Sequence, residues 1–260
     1  MWRAALSSGD NHFINYSEST LGGCLPDADT YLSVFDDLEC KSIVVLKDQT
    51  ATDTNFLNHV DALLDRAKVE QPYYVGISHS AHGSHYKSLV EADGLGEGLC
   101  FYNLDEKDGE WSAGFLKDTV LRDRLNQFPA GGIVEVFIDT CYSGGMDRIL
   151  KPHQKPRFIH NPGNHDKLLR LSNSTIGQGL NSNIIMWCAC SEAQESADAY
   201  IDGGFHGAFT YYWAKAFRNN PWASRVEILL KTRALLTKNR YSQFPRLKAW
   251  NASAQRPVGK

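Results

Sequence analysis

Runs of β-branched and aromatic residues alternate along this chain with stretches whose apolar positions recur three or four apart. That alternation predicts a parallel sheet joined by right-handed crossover helices. Arg3 to Ser8 reads as a first strand, closed by Gly9-Asp10-Asn11. Pro26 and Asp27 suit the first turn of a helix, and Ala28, Tyr31, Leu32, Phe35 and Leu38 follow at helical spacing. Ser42 to Leu46 is a second buried strand, after which Thr52 or Thr54 can cap a helix presenting Phe56, Val60, Leu63 and Leu64. Tyr73 to Ser78 makes a third strand, running out at His79-Ser80-Ala81-His82-Gly83. Between Glu91 and Glu110 the chain is acidic and Gly-rich, with only Leu99 to Tyr102 resembling a small strand, so an excursion at the sheet's upper edge is expected.

Leu116 to Leu125 reads as a helix leading into Gly132 to Ile138, a nearly unbroken run of the kind buried on both faces of a sheet. That run stops at Asp139-Thr140-Cys141, followed by small residues and glycines. From Lys151 to Asn181 the chain turns to Lys, Arg, His, Pro and Asn with little apolar periodicity, which marks an exposed linker. Asn183 to Ala189 is a further strand, His206 to Phe217 and Val226 to Leu236 are helices, and Pro245 to Trp250 is an edge strand.

Composition narrows the class. A chain of 260 residues with 42% hydrophobic positions can bury a full core without staples. The net charge of −3 and the lack of a long basic run point away from nucleic acid and from an anionic membrane surface. The first ten residues hold too short an apolar run for a signal peptide, and no stretch reaches transmembrane length, so a soluble cytoplasmic protein is expected. Its six cysteines are scattered without zinc-knuckle spacing and are expected to be free thiols.

In an open α/β sheet, chemistry gathers where the chain leaves the carboxyl ends of the strands. Cys141 stands there, either as a nucleophile or as a half-buried structural thiol. His82 also follows a strand, so if the two strands are neighbours both side chains emerge at one edge, and imidazole suits acid/base work. His79 and His85 compete for that role. Gly83 lacks a side chain, so its N–H can approach a carbonyl oxygen closely, with the Cys141 N–H as a second donor. On the residues alone, Asp27 reads as a helix N-terminal carboxylate and Asp139 as a strand-end cap.

Five motifs in order resemble the caspase-like cysteine peptidases, and among them the metacaspases. Ser80-Ala81-His82-Gly83 is similar to a Ser-Gly-His-Gly motif, and Asp139-Thr140-Cys141-Tyr142-Ser143-Gly144 to Asp-x-Cys-x-Ser-Gly. Leu21 to Ala28, Cys190 to Asp198 and Gln243 to Leu247 resemble three further segments. The resemblance implies a caspase-like α/β/α sandwich with a mostly parallel, about six-stranded central sheet. It also implies one peptidase domain over 1–260, with a large-subunit-like part at 1–150, a linker at 151–181 and a small-subunit-like part at 182–260. Within it Cys141 would be the nucleophile, His82 its acid/base partner, and Gly83 and Cys141 the oxyanion donors. Cys24, Asp27, Ser80 and Asp139 would form a pocket for Arg or Lys, since two buried carboxylates select a cation.

The implied partners are protein or peptide substrates with basic residues. The linker's Lys151, Lys155, Arg157, Lys167 and Arg170 make self-processing between 151 and 181 an expectation. No cofactor is required for the chemistry and no metal ligand is assigned. The calcium pattern of many metacaspases is thinned here: Asp93-Gly94-Leu95-Gly96-Glu97 has glycine at a second aspartate, and Asp118-Thr119 replaces a pair of aspartates. Losing carboxylates weakens a hard-cation site steeply, which leaves calcium activation open but disfavoured. Two rival functions remain: an inactive caspase-fold scaffold, against which Cys141 and His82 together argue, and a peptidase of different specificity.

Overall fold

The computed structural model describes residues 1–89, 94–141, 154–161, 163, 179–190 and 196–260. In chain order these give β1 (Trp2–Gly9), α1 (Cys24–Asp37), β2 (Ser42–Lys47), α2 (Asp53–Val69), β3 (Tyr73–Ser80), β4 (Gly83–Lys87), β5 (Leu95–Lys107), β6 (Glu110–Lys117) and α3 (Asp118–Leu125). There follow β7 (Ile133–Asp139), β8 (Gln154–Pro156), β9 (Ile184–Cys188), β10 (Ala197–Ile201), β11 (Gly204–Gly207), α4 (Ala208–Asn219), α5 (Arg225–Lys238), β12 (Arg246–Lys248) and α6 (Asn251–Ala254).

A six-stranded sheet of order β12-β9-β7-β3-β1-β2 forms the centre, parallel except for the antiparallel edge strand β12. Successive side chains of a strand point to opposite faces. Val134, Val136 and Ile138 of β7 accordingly enter one apolar layer with Phe56, Val60 and Leu64 of α2 and Leu121 and Leu125 of α3. Phe137 enters the other, with Tyr31 and Phe35 of α1, Phe209 and Trp213 of α4, and Ile228 of α5. Helices therefore cover both faces, as the unbroken apolar strands require.

Glu135 is a polar exception in that central strand. Fully buried, it accepts from Arg225 Nε at 2.8 Å, Arg225 Nη2 at 3.0 Å, Trp187 Nε1 at 2.9 Å and Gly259 N at 3.1 Å. Saturated hydrogen bonding offsets the cost of burying the charge, and it fastens α5 and the C-terminal turn to β7.

The structure departs from the sequence reading in four places. Residues 83–87, 95–107 and 110–117 form an antiparallel sheet of order β4-β5-β6 where one small strand was expected. The helix expected from Leu116 starts at Asp118, because Leu116 still pairs with Leu99 across β5 and β6. Residues 204–207, partly expected in a helix, form β11, which pairs with β10. The last difference bears on function. Of the linker read as exposed, residues 154–156 form β8 on β10, and Arg157, Phe158, Ile159 and Asn161 are buried. Lys151, Lys167 and Arg170 lie outside the described residues, as do Tyr142, Ser143 and Gly144.

Candidate active site

β3 and β7 are parallel neighbours in register Ser80 with Asp139, so the chains leaving them emerge side by side. His82 and Gly83 follow the first and Cys141 the second. Both catalytic candidates are buried, as is Asp139 beneath them. His82 Nε2 lies 2.7 Å from the Ser19 carbonyl. A carbonyl only accepts, so Nε2 carries the proton in the neutral ring. Nδ1 is then left bare, buried and without a hydrogen-bond partner among the described residues. Burial lowers the His82 pKa to about 4, against the pull of the Ser19 carbonyl, so the imidazole is neutral near pH 7. Cys141 Sγ accepts from Ser196 N–H at 2.6 Å and faces the Ser196 carbonyl at 3.2 Å.

Arg157 occupies the same edge. Its carbonyl oxygen accepts from Gly83 N–H at 2.9 Å and from Cys141 N–H at 3.0 Å. Its guanidinium, 0% exposed, lies among three aspartates. Nη2 donates to Asp27 Oδ2 at 2.7 Å and Asp198 Oδ1 at 3.1 Å, while Nη1 donates to Ser80 Oγ at 3.1 Å and lies 3.3 Å from Asp139 Oδ1. The planar fork thus reaches four side chains from two nitrogens.

Three carboxylates around one cation would repel one another were each not held separately. Asp198 accepts from the N–H groups of Gly22 and Gly23, at 2.9 and 2.8 Å, and Asp27 from Gly207 N–H at 3.0 Å. Asp139 accepts from Thr210 N–H at 3.1 Å, Thr210 Oγ1 at 2.7 Å and Ser196 Oγ at 2.5 Å. Gly207 caps α4 and Thr210 sits in its first turn, so the positive end of that helix faces Asp27 and Asp139. Burial pushes the Asp27 carboxyl up, and Arg157 opposes that shift. Burial alone would lower Arg157, yet the surrounding acids hold it above its ordinary value. Cys24 is one of those neighbours, but burial raises its thiol well above the usual range and keeps it neutral, so the aspartates carry the effect.

Of the residues read from sequence, Gly83, Cys141, Asp27, Ser80 and Asp139 touch Arg157 directly. Cys24 stands beside it at the start of α1. His79 belongs elsewhere: its Nε2 lies 3.2 Å from the Cys100 carbonyl and its ring stacks on Phe101. His85 is buried against Phe158. Asp198, Ser19, Ser196, Gly207 and Thr210 were not assigned to the site. The signal for Asp198 was present in the Cys190 to Asp198 motif; the others carry none. Glu97 in β5 and Asp118 at the start of α3 are buried, and Asp93 is outside the described residues. Among the described residues no group of three His, Cys, Asp or Glu side chains could hold a metal ion.

A buried thiol and an imidazole leave neighbouring strands at one sheet edge, with the Gly83 and Cys141 N–H groups turned to a single carbonyl oxygen. The caspase domain matches residues 3–254, and the chain belongs to that family. Among curated proteins it is 25% identical to metacaspase-1 of Schizosaccharomyces pombe, with 94% of this chain and 66% of the relative aligned. It is 23% identical to metacaspase-1 of Coccidioides immitis (94% and 61%) and 26% identical to that of Cryptococcus neoformans (91% and 60%). The chain thus spans 60 to 66% of the length of these relatives. The crystal structure of a protein from Geobacter sulfurreducens superposes with a TM-score of 0.72 at 20% identity, covering 100% of this chain and 99% of that one. The caspase fold is therefore established. Membership of the caspase family, with metacaspases among the matched relatives, supports a reading as a cysteine-type peptidase. No helix among the described residues is long and apolar enough to cross a membrane.

Proposed function

We propose that this chain is a cysteine endopeptidase that hydrolyses peptide bonds after Arg or Lys, and that its own Arg157–Phe158 bond is one of its substrates. The observation that carries this reading is Arg157 itself. Its guanidinium fills the aspartate pocket while its carbonyl oxygen takes both N–H donors expected for an oxyanion. A basic residue before a scissile bond would be held in the same way.

In this reading, His82 Nδ1 takes the proton of the Cys141 thiol, and Sγ leaves its contacts with Ser196 to attack the Arg157 carbonyl carbon. Negative charge develops on the oxygen that Gly83 N–H and Cys141 N–H already hold. The imidazolium returns its proton to the Phe158 nitrogen, which departs as an amine. Water, deprotonated by His82, then hydrolyses the thioester and restores the thiol. The steps draw on thiol, imidazole and water alone. The Ser19 carbonyl fixes the tautomer that leaves Nδ1 free to accept. Until that bond is cut, Arg157 blocks the pocket, so cleavage would both use and open the site.

The test is a panel of otherwise identical peptides bearing Arg, Lys or Asp before the scissile bond, given to wild type and Cys141→Ala. Cys141-dependent cleavage after Arg, and more slowly after Lys because an ammonium cannot bridge all four partners, is expected. Turnover that does not depend on Cys141 returns the chain to the scaffold reading, and cleavage after Asp overturns the pocket.

A further inference from the structure

The chain does not leave the site at Arg157. Residues 158–161 continue across it, and Phe158, Ile159 and Asn161 are buried there. Gly83, whose N–H bonds the Arg157 carbonyl, also accepts from Ile159 N–H through its own carbonyl at 3.0 Å. Phe158 is thereby bridged in parallel opposite Gly83. Arg157 and Ile159, one on each side of the Arg157–Phe158 bond, are thus fixed by the glycine that serves the reacting carbonyl.

Side chains follow the backbone. Ile159 is 6% exposed in an apolar cluster with Phe13, Ala81, Cys100 and Leu104. Phe158 is 7% exposed, with its ring centroid 5.3 Å from that of His85. Asn161 is buried and donates from Nδ2 to the His85 carbonyl at 2.6 Å. Upstream, in β8 on β10, Gln154 and Pro156 are half-buried and Lys155 is exposed, its Nζ donating to the Thr20 carbonyl at 2.9 Å.

We propose that this peptidase reads its substrates on the carboxyl side of the cut, through an apolar subsite of Phe13, Ala81, Cys100 and Leu104 that takes an aliphatic side chain two residues after the basic one. The substrate class is then a basic residue, an aromatic or other large residue, and a branched aliphatic residue, in that order. The proposal rests on the peptidase reading above. Ala81 is integral to it: the methyl at that position lines the subsite beside His82. An apolar pocket that already desolvates an isoleucine charges a carboxylate the full cost of leaving water, so discrimination against Asp there is steep.

The test uses internally quenched peptides spanning the sequence of residues 154–161 and the full chain, both wild type and Arg157→Ala, whose pocket lacks its own guanidinium. Peptides differ only at the position of Ile159, carrying Ile, Val, Gly or Asp. The expected result is Val within about threefold of Ile in kcat/KM, and Gly and Asp lower by about tenfold or more. A peptide ending in Arg before a fluorogenic amine reports on the site without any carboxyl-side residue. Cys141-dependent turnover with Ile, Gly and Asp peptides equal within twofold overturns the subsite while leaving the peptidase intact. No Cys141-dependent turnover of any peptide overturns both.

Discussion

Asp198→Asn isolates the pocket's charge with little change of shape. Asp198 Oδ1 lies 3.1 Å from Arg157 Nη2, and both groups are buried. Removing one partner of a buried pair costs about 3–5 kcal/mol when the remaining charge is left alone. Here Asp27 and Asp139 remain around the guanidinium, so the smaller figure of about 1.5–3 kcal/mol for a hydrogen bond to a charged group applies. That range is roughly a 10- to 150-fold loss in kcat/KM for an Arg substrate. The guanidinium binds before and during the reaction alike, so the loss is expected in KM with kcat little altered. The amide can keep one acceptor for Gly22 or Gly23 N–H, which limits damage to the loop before α1. Steady-state kinetics on an Arg peptide, with circular dichroism to confirm the fold, make the assay. A change in kcat/KM below about threefold would refute the assignment of Asp198 to the pocket.

Two further outcomes follow from the geometry. In Gly207→Ala the new Cβ would stand 2.3 Å from Asp139 Oδ2, 2.5 Å from Asp27 Oδ2 and 2.6 Å from Arg157 Nη1. It should close the pocket and lower kcat/KM for Arg peptides by about tenfold or more, whereas unchanged KM would show that the pocket lies elsewhere. Burial lowers His79 from 6.5 to about 3, so below pH 6.5 the unfolded chain takes up a proton that the fold refuses. Its contribution to stability is therefore present above pH 6.5 and drains as pH falls toward 3. The urea midpoint of wild type should drop more between pH 7 and 5 than that of His79→Asn, and equal drops would contradict a neutral buried ring.

The central sheet was legible because β1, β3, β7 and β9 are buried on both faces and read as continuous apolar runs. The β4-β5-β6 sheet was not, because Gly96, Glu97 and Gly98 interrupt its pattern with residues that strands disfavour. Gly96 and Gly98 stand where any Cβ would strike Tyr86 or Phe115, so the close packing that requires glycine also erased the strand signal. Cys141 and His82 were readable as a pair because each ends a strand and those strands adjoin. Asp198 lay in a motif that marked its segment, but its place beside Arg157, 41 positions away, and Gly23, 175 away, comes from long-range contacts that the motif does not spell out. Arg157 misled for a related reason: a basic residue in a segment rich in Lys, His, Pro and Asn looks solvated unless its three aspartates are already in view.

Intact-mass analysis and N-terminal sequencing of freshly purified wild type and Cys141→Ala test the central claim most directly. The account predicts that wild type releases a fragment beginning at Phe158 and that Cys141→Ala stays uncut at that bond. Wild type that turns over Arg peptides while its Arg157–Phe158 bond remains whole, or a Cys141→Ala chain cut there at the same rate, would contradict it.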